Sequence, residues 1–281
     1  MAEIFNGKNF ARRIEQSIKE RLGELGNPEL HLHTILIGDN EGSKIYIGIK
    51  EKSLKRLGGA LTVHEFPENA DKDEIIGKIR ELNERDDVDG IMVELPLPKG
   101  HRISDYSMEI GPVKDVDCLH PENIGMVLQG RPRFNPPTPS AVMKIIHSSG
   151  VDLKGSEVCV INHSPSIGRP LAMLLLNENA TVHVCHVFTR NLKEHTERAN
   201  VMVVAAGVPS LITEDMVKEG AVVVDVGMNR LNGKVVGDVD FEGVKEKAGF
   251  ITPVPGGVGP VTRYTLFENL LKAYELRHTH D

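Results

Sequence analysis

The chain has 281 residues, 40% of them hydrophobic and 26% charged, which is enough for two domains with a core in each. A net charge of -7 shows no basic excess, which argues against nucleic acid or an anionic membrane as the main partner and requires any anionic ligand to be met locally. The three cysteines, Cys118, Cys159 and Cys185, are too scattered for a disulfide framework or a metal site, and the N-terminus carries no apolar segment, so a reducing cytoplasm is expected. Phe10, Ile14, Ile18 and Leu22 recur at helical spacing over residues 9–22, with Gly23 as a stop. Residues 31–37 read as a strand, and a helix through 43–50 continues to Gly58-Gly59. A strand at 60–66, a helix at 71–84 and a strand at 88–95 follow. This alternation predicts an α/β fold with a parallel sheet, whose ligands lie beyond the carboxyl ends of the strands. The last of these strands runs into Glu94-Leu95-Pro96-Leu97-Pro98, where proline removes ladder donors and ends it.

The stretch Asn135-Pro136-Pro137-Thr138-Pro139 bars regular structure, and Thr138 is placed to cap a helix from Pro139 to Ser149. The domain change is therefore set at residue 139. Beyond it, a buried-type strand at 157–162 leads into His163-Ser164-Pro165-Ser166-Ile167-Gly168 and a helix from Arg169, an arrangement suited to a pyrophosphate, although only Gly168 of a G-x-G-x-x-G pattern is present. A strand at 181–185 follows, and where an NAD site usually carries an acid the chain has His186, Val187, Phe188, Thr189 and Arg190. Groups of this kind favour a 2'-phosphate and hence NADP. Further strands at 201–205 and 221–226 each end at a glycine. Residues 252–260, rich in proline and glycine, are irregular, with backbone able to approach a ligand closely, and a final helix covers 262–276.

At about 100° per residue, the helix through 43–50 puts Lys50 between Tyr46 and Leu54, inside an apolar arc, with Glu51, Lys52 and Lys55 turned away. Such a lysine either snorkels its head to water or is buried, and burial disfavours an ammonium and frees the amine for proton transfer. Asp117, in Lys114-Asp115-Val116-Asp117, is either a turn former or a carboxylate that accepts the paired N–H donors of an amidine or pterin edge. Tyr-x-x-x-Lys with a nucleotide fold first suggests the short-chain dehydrogenases. In those enzymes the glycine-rich turn precedes the Tyr/Lys pair, and here the order is reversed.

Taken in order, S-K-I-Y-I-G-I-K, V-E-L-P-L-P, K-D-V-D, P-x-T-P, H-S-x-x-I-G-R-P, D-V-G and P-V-P-G-G-V-G-P resemble the bifunctional methylenetetrahydrofolate dehydrogenase/methenyltetrahydrofolate cyclohydrolases over nearly the whole chain. The resemblance implies an α/β folate-binding catalytic domain over residues 1–138 and 261–281, and a Rossmann-like NADP-binding domain over 139–260. It also implies a last helix packed back on the first domain, and a homodimer. Lys50 would be the catalytic lysine, Tyr46 would stack on the substrate and Asp117 would hold the pterin, with Glu94 in the catalytic group. Val93, Leu95 and the run Pro255, Gly256, Gly257, Val258 and Gly259 would border the folate. NADP would meet Asn162, His163, Ser164, Gly168, His186, Thr189, Arg190 and Met228. No metal is implied.

The departures are informative. The family's G-R-S turn is Asn162-His163-Ser164 here, its C-H-S-x-T is Cys185-His186-Val187-Phe188-Thr189, and the glycine after K-D-V-D is Cys118. Its Q-L-P-L-P reads E-L-P-L-P, so a carboxylate, Glu94, replaces a neutral amide beside the lysine. An ionised Glu94 within about 4–6 Å would favour the ammonium, or the two would share a proton and Glu94 would relay it. The expected function is oxidation of 5,10-methylenetetrahydrofolate with NADP, then hydrolysis to 10-formyltetrahydrofolate. A dehydrogenase with an impaired hydrolytic step and a non-catalytic folate or dinucleotide module are the alternatives.

Overall fold

The computed structural model describes residues 1–278; residues 279–281, the end of the expected first domain, lie outside the described residues. In chain order the first elements are β1 (Glu3–Ile4), α1 (Gly7–Glu24), β2 (His31–Ile37), α2 (Glu41–Lys55), β3 (Ala60–Phe66), α3 (Lys72–Glu84), β4 (Gly90–Val93), α4 (Ile103–Ser107), α5 (Pro121–Leu128) and α6 (Pro137–Ser148). There follow β5 (Glu157–Ile161), α7 (Gly168–Asn177), β6 (Thr181–Cys185), α8 (Leu192–Thr196), β7 (Val201–Val204) and β8 (Val222–Asp225). The chain closes with β9 (Asn229–Leu231), β10 (Lys234–Val236), α9 (Phe241–Lys247), β11 (Phe250–Ile251) and α10 (Val258–His278). Two compact units result, one of Met1–Arg13 with Pro136–Thr265, the other of Ile14–Asn135 with Leu266 onward.

The unit built on residues 14–135 has a parallel three-stranded sheet in the order β3-β2-β4. β2 is central, and six of its seven residues are buried, as a strand covered on both faces requires. Ile35, Ile37, Ile75, Ile79, Leu82, Val88, Ile91, Val93 and Tyr106 form one apolar cluster in this unit. Asn40 caps α2 by accepting from Ser43 N at 3.0 Å, and Asp71 caps α3 through Asp73 N at 3.0 Å. The later part of α10 belongs here. Asn269 Nδ2 donates to Val116 O and Asn135 O, both at 2.8 Å, and Arg277 Nη1 donates to Val88 O at 2.6 Å and Asp89 Oδ1 at 3.0 Å. β4 is shorter than the expected 88–95, and the Leu95-Pro96 peptide that follows it is cis.

The other unit is a parallel six-stranded sheet in the order β1-β11-β8-β7-β5-β6. Because β6 and β7 flank β5 on opposite sides, the topological switch point of this sheet lies at the carboxyl end of β5. Residues 1–13 were expected in the catalytic domain and sit in this unit instead. The cause is local: Glu3–Ile4 pairs in parallel with Phe250–Ile251, and the backbone at Gly7 lies so close to the carbonyls of Gly256 and Gly257 that a Cβ would overlap them. A two-residue edge strand is below what periodicity can detect.

Two helix starts also differ from expectation. α6 begins at Pro137 behind Pro136, with no side-chain cap, so Thr138 lies inside the first turn rather than capping it. α10 begins at Val258, four residues early, and takes Gly259 and Pro260 into its first turn, where a missing N–H costs nothing.

Candidate active site

Helical spacing places Tyr46 one turn before Lys50, and the structure buries the lysine to 1% exposure beside Leu54 and Leu57. Its Nζ lies 5.2 Å from the centroid of the Tyr46 ring and 3.6 Å from Met92 Sδ, and it donates to Glu94 Oε1. Snorkelling is therefore excluded: the charge is met by a carboxylate and a ring face inside the protein. Thr34 Oγ1 donates to the same Glu94 oxygen at 3.1 Å. Thr34 pairs with Met92 across β2 and β4, and Glu94 is two residues beyond Met92, so all three project from one face of the sheet. Val93, on the opposite face, is 2% exposed and packed with Ile35, Ile75 and Ile79. Val93 was expected to border the folate; its side chain is part of the apolar core, which leaves only its backbone for that role. Leu95 is 41% exposed, and its carbonyl accepts from Ser43 Oγ at 3.2 Å, tying the end of β4 to the start of α2.

Asp117 is carried by a loop laid along β4, where Ile91 N donates to Lys114 O at 2.8 Å. Lys114 holds that loop from the other side. Its buried Nζ donates to Leu82 O at 3.0 Å, Asn83 O at 2.7 Å and Arg85 O at 2.6 Å, satisfying carbonyls at the end of α3. Burial pulls the Lys114 pKa below the ordinary lysine value. Asp115 is fully buried and accepts from Leu119 N, His120 N and Asn123 Nδ2, so it is the turn former of the pair. Asp117 makes no side-chain hydrogen bond among the described residues. Burial first, then the like charges of Asp115 and Glu94, push its pKa up to about 7 against the pull of Lys50. Cys118 adopts φ +56°, the left-handed region that favours glycine, which accounts for the glycine of the family pattern. Its thiol donates to Phe134 O at 3.1 Å.

In the other unit, Asn162 ends β5. Its Oδ1 accepts from Ser164 N at 2.8 Å and Gly168 N at 2.9 Å, and its Nδ2 donates to Ala205 O at 2.6 Å. Asn162 was expected among the residues that meet the cofactor; its side-chain amide is taken up by the turn, which leaves its backbone for that role. Ile167 N and Arg169 N are likewise satisfied by Ser164, which leaves the backbone N–H groups of His163 and Ser166 open among the described residues. A Cβ on Gly168 would overlap the Asn162 carbonyl, so glycine is required for the close approach of helix and strand. Past β6, Thr189 Oγ1 accepts from His186 N at 2.8 Å, and the His163 and His186 rings stand 4.9 Å apart with Phe188 edge-on to His186 at 6.1 Å. His163, His186, Phe188, Arg190 and Met228 are exposed, and no carboxylate lies among them. Open N–H groups, hydroxyls and imidazoles without an acid suit a phosphorylated dinucleotide. Pro255–Gly259 are in this same unit; Val254-Pro255 is cis and Gly256 has φ +106°.

Sequence reasoning missed Thr34, Met92 and Ser43. The signal was present in part: Thr34 is a hydroxyl inside a run of buried aliphatics, which asks for a buried partner. It also missed Asp238, which accepts from Ala206 N at 2.6 Å, Gly207 N at 2.9 Å and Asn229 Nδ2 at 2.7 Å.

Comparison with known proteins finds the same two domains with the same change near residue 136, but assigns the ends by sequence order, so that residues 5–13 go with the catalytic domain and residues 266–278 with the nucleotide domain. Residues 5–117 match the family model for the tetrahydrofolate dehydrogenase/cyclohydrolase catalytic domain, and residues 136–278 match that for its NAD(P)-binding domain. The chain is 44% identical over 278 residues to the bifunctional protein FolD of a Nitratiruptor species, covering 98% of this chain and 99% of that protein. Among solved structures, it is similar to the bifunctional methylenetetrahydrofolate dehydrogenase/cyclohydrolase of Campylobacter jejuni, with 42% identity, a TM-score of 0.94 and coverage of 99% and 100%. It is also similar to the Trypanosoma brucei enzyme solved with NADP cofactor and inhibitor, with 34% identity, a TM-score of 0.93 and 98% of each chain covered.

Proposed function

Because the chain belongs to the tetrahydrofolate dehydrogenase/cyclohydrolase family, we infer that it oxidises 5,10-methylenetetrahydrofolate with NADP and hydrolyses the methenyl product to 10-formyltetrahydrofolate. The observation that carries this reading is the buried Lys50, held between the Tyr46 ring and Glu94 with Asp117 in the same electrostatic field. Bound NADP supplies the hydride acceptor. The chain's own residues bind, orient and move protons. Tyr46 offers a flat face for the folate, and Asp117, whose side chain has no hydrogen bond among the described residues, can accept the paired N–H donors of a pterin edge. Hydride transfer moves no proton to the enzyme, so Lys50 serves the hydrolysis chiefly.

On the nucleotide side, the open N–H groups of His163 and Ser166 and the Ser164 hydroxyl are offered to the pyrophosphate at the start of α7. His163, His186 and Arg190 are the groups for the 2'-phosphate, with Thr189 holding the turn that presents them and Met228 beside the ring. Leu95 borders the folate. A homodimer in the cytoplasm completes the proposal; three free cysteines fit a reducing compartment, and no helix among the described residues is long and apolar enough to cross a membrane. The test is to follow NADPH and methenyl absorbance together with purified protein and 5,10-methylenetetrahydrofolate. NADPH formation without lasting methenyl accumulation is expected, and stable methenyl or no NADPH overturns the reading. Mass in solution checks the dimer.

A further inference from the structure

The two oxygens of Glu94 are used unequally. Lys50 Nζ and Thr34 Oγ1 both donate to Oε1, and among the described residues no group donates to Oε2. The carboxylate is thus fixed by one oxygen and presents the other, on a residue that is 5% exposed. A general base needs a lone pair that is not already committed, and a lysine donating into an ion pair has none to give. Resting on the functional reading above, we propose that Glu94, through Oε2, takes the proton of the attacking water in the hydrolytic step while Lys50 remains an ammonium that orients it.

The step balances. Water oxygen forms the bond to the methenyl carbon, the π pair of the C=N⁺ group moves to nitrogen, and one water proton passes to Glu94 Oε2. In the collapse, the remaining hydroxyl forms C=O and releases its proton to solvent, the C–N5 bond breaks, and N5 takes the proton that Glu94 held. The carboxylate is regenerated, and the substrate cation plus water has become the neutral formyl product plus one proton. Lys50 from α2 and the uncharged Thr34 of β2 bond this carboxylate, Asp117 from the loop along β4 shares its field, and behind these stand the Tyr46 ring against Lys50 and Asp115 beside Asp117. Asp117, carrying a proton through much of the range below pH 7, adds little competing negative charge there.

The experiment is cyclohydrolase kcat against pH, with dehydrogenase kcat from the same preparations, for the full chain and for Glu94→Gln and Glu94→Asp. Glutamine is close in shape and leaves only the amine as base. The acid limb of its profile is expected to move to higher pH, with cyclohydrolase falling roughly 10²-fold at pH 7 and the cyclohydrolase:dehydrogenase ratio falling at least about tenfold. Glu94→Asp keeps a carboxylate and should keep the position of the limb at reduced kcat. Wild-type activity with superimposable profiles, or an equal loss of both activities in Glu94→Gln, overturns this proposal alone. Absence of both activities in the wild type overturns the functional reading and the proposal with it.

Discussion

The Asp225 carboxylate holds the backbone of Asp238. Asp238 N donates to Asp225 Oδ1 at 3.1 Å, while the Asp238 carboxylate stands where a Cβ on Gly227 would have to go, two residues past Asp225. Asp225 also takes Gly227 N and Val239 N, and Asp238 takes Ala206 N and Gly207 N, so two side chains satisfy the turns beyond β7 and β8. Asp238→Ala removes the charged acceptor of three part-buried hydrogen bonds, from Ala206 N, Gly207 N and Asn229 Nδ2, each contributing about 1.5–3 kcal/mol where water does not replace it. The expected loss is on the order of 3 kcal/mol in a urea melt, with Asp238→Asn milder. A loss under about 1 kcal/mol for the alanine variant would show that water replaces the carboxylate.

Asp117 predicts a pH dependence of stability. Its pKa rises from 3.8 unfolded to about 7 folded, chiefly through burial, so the folded chain binds this proton more tightly than the unfolded chain does. The associated stability is complete below pH 3.8 and is lost as pH climbs through about 7. Asp225, raised to about 6 by burial, acts with the same sign. A rise of the size seen at Asp117 corresponds to about 4 kcal/mol, of which solvent screening at this partly exposed site leaves a fraction. Asp117→Asn should narrow the gap between the Tm values at pH 4 and pH 8 by raising the latter. Parallel Tm curves for the two proteins would refute the assignment.

Removing the Lys50 amine should separate the two reactions. In Lys50→Met the cyclohydrolase is expected to fall by about 10²–10⁴, with part of the dehydrogenase retained. The variant also strands Glu94 as an unpaired buried charge, a cost of about 3–5 kcal/mol, so its Tm should drop as well. Equal loss of both activities in a protein that still melts cooperatively would refute this division of labour.

Cofactor preference is the fourth test. With no carboxylate at the end of β6 and with His163, His186 and Arg190 exposed there, the NADP:NAD ratio of kcat/KM should exceed one. It should fall roughly tenfold or more in Arg190→Ala or His163→Ala, since a charge-assisted hydrogen bond contributes about 1.5–3 kcal/mol. Unchanged ratios in both variants would mean that the 2'-phosphate is read elsewhere.

The long elements were legible from residue pattern. β2, β3 and β6 fall at the expected residues, because buried strands and amphipathic helices write their period into the chain. Lys50 and Tyr46 were legible for the same reason, being one turn apart on one helix face. What escaped depends on contacts distant in sequence. Glu3–Ile4 becomes a strand only because β11 is there to pair with it. Thr34 matters through the register of β2 against β4, which periodicity does not specify. Asn162 carries the residue type of a ligand contact and the geometry of a turn brace, a distinction that only hydrogen-bond partners reveal. Cys118 shows the converse: the missing glycine was visible, and the left-handed backbone that explains it was not.

The grip of Lys114 on three backbone carbonyls concentrates an evolutionary constraint. For this contact Leu82, Asn83 and Arg85 are read only through main-chain oxygens, which every amino acid carries. Mutational drift at those three codons leaves the contact intact, whereas the codon for residue 114 must encode a long cation. For this contact the loop that aims Asp117 therefore depends on one side chain, three residues upstream of the carboxylate it serves, while Leu82 is constrained by the core and Asn83 by its own side-chain bonds to Glu109 O and Gly111 N.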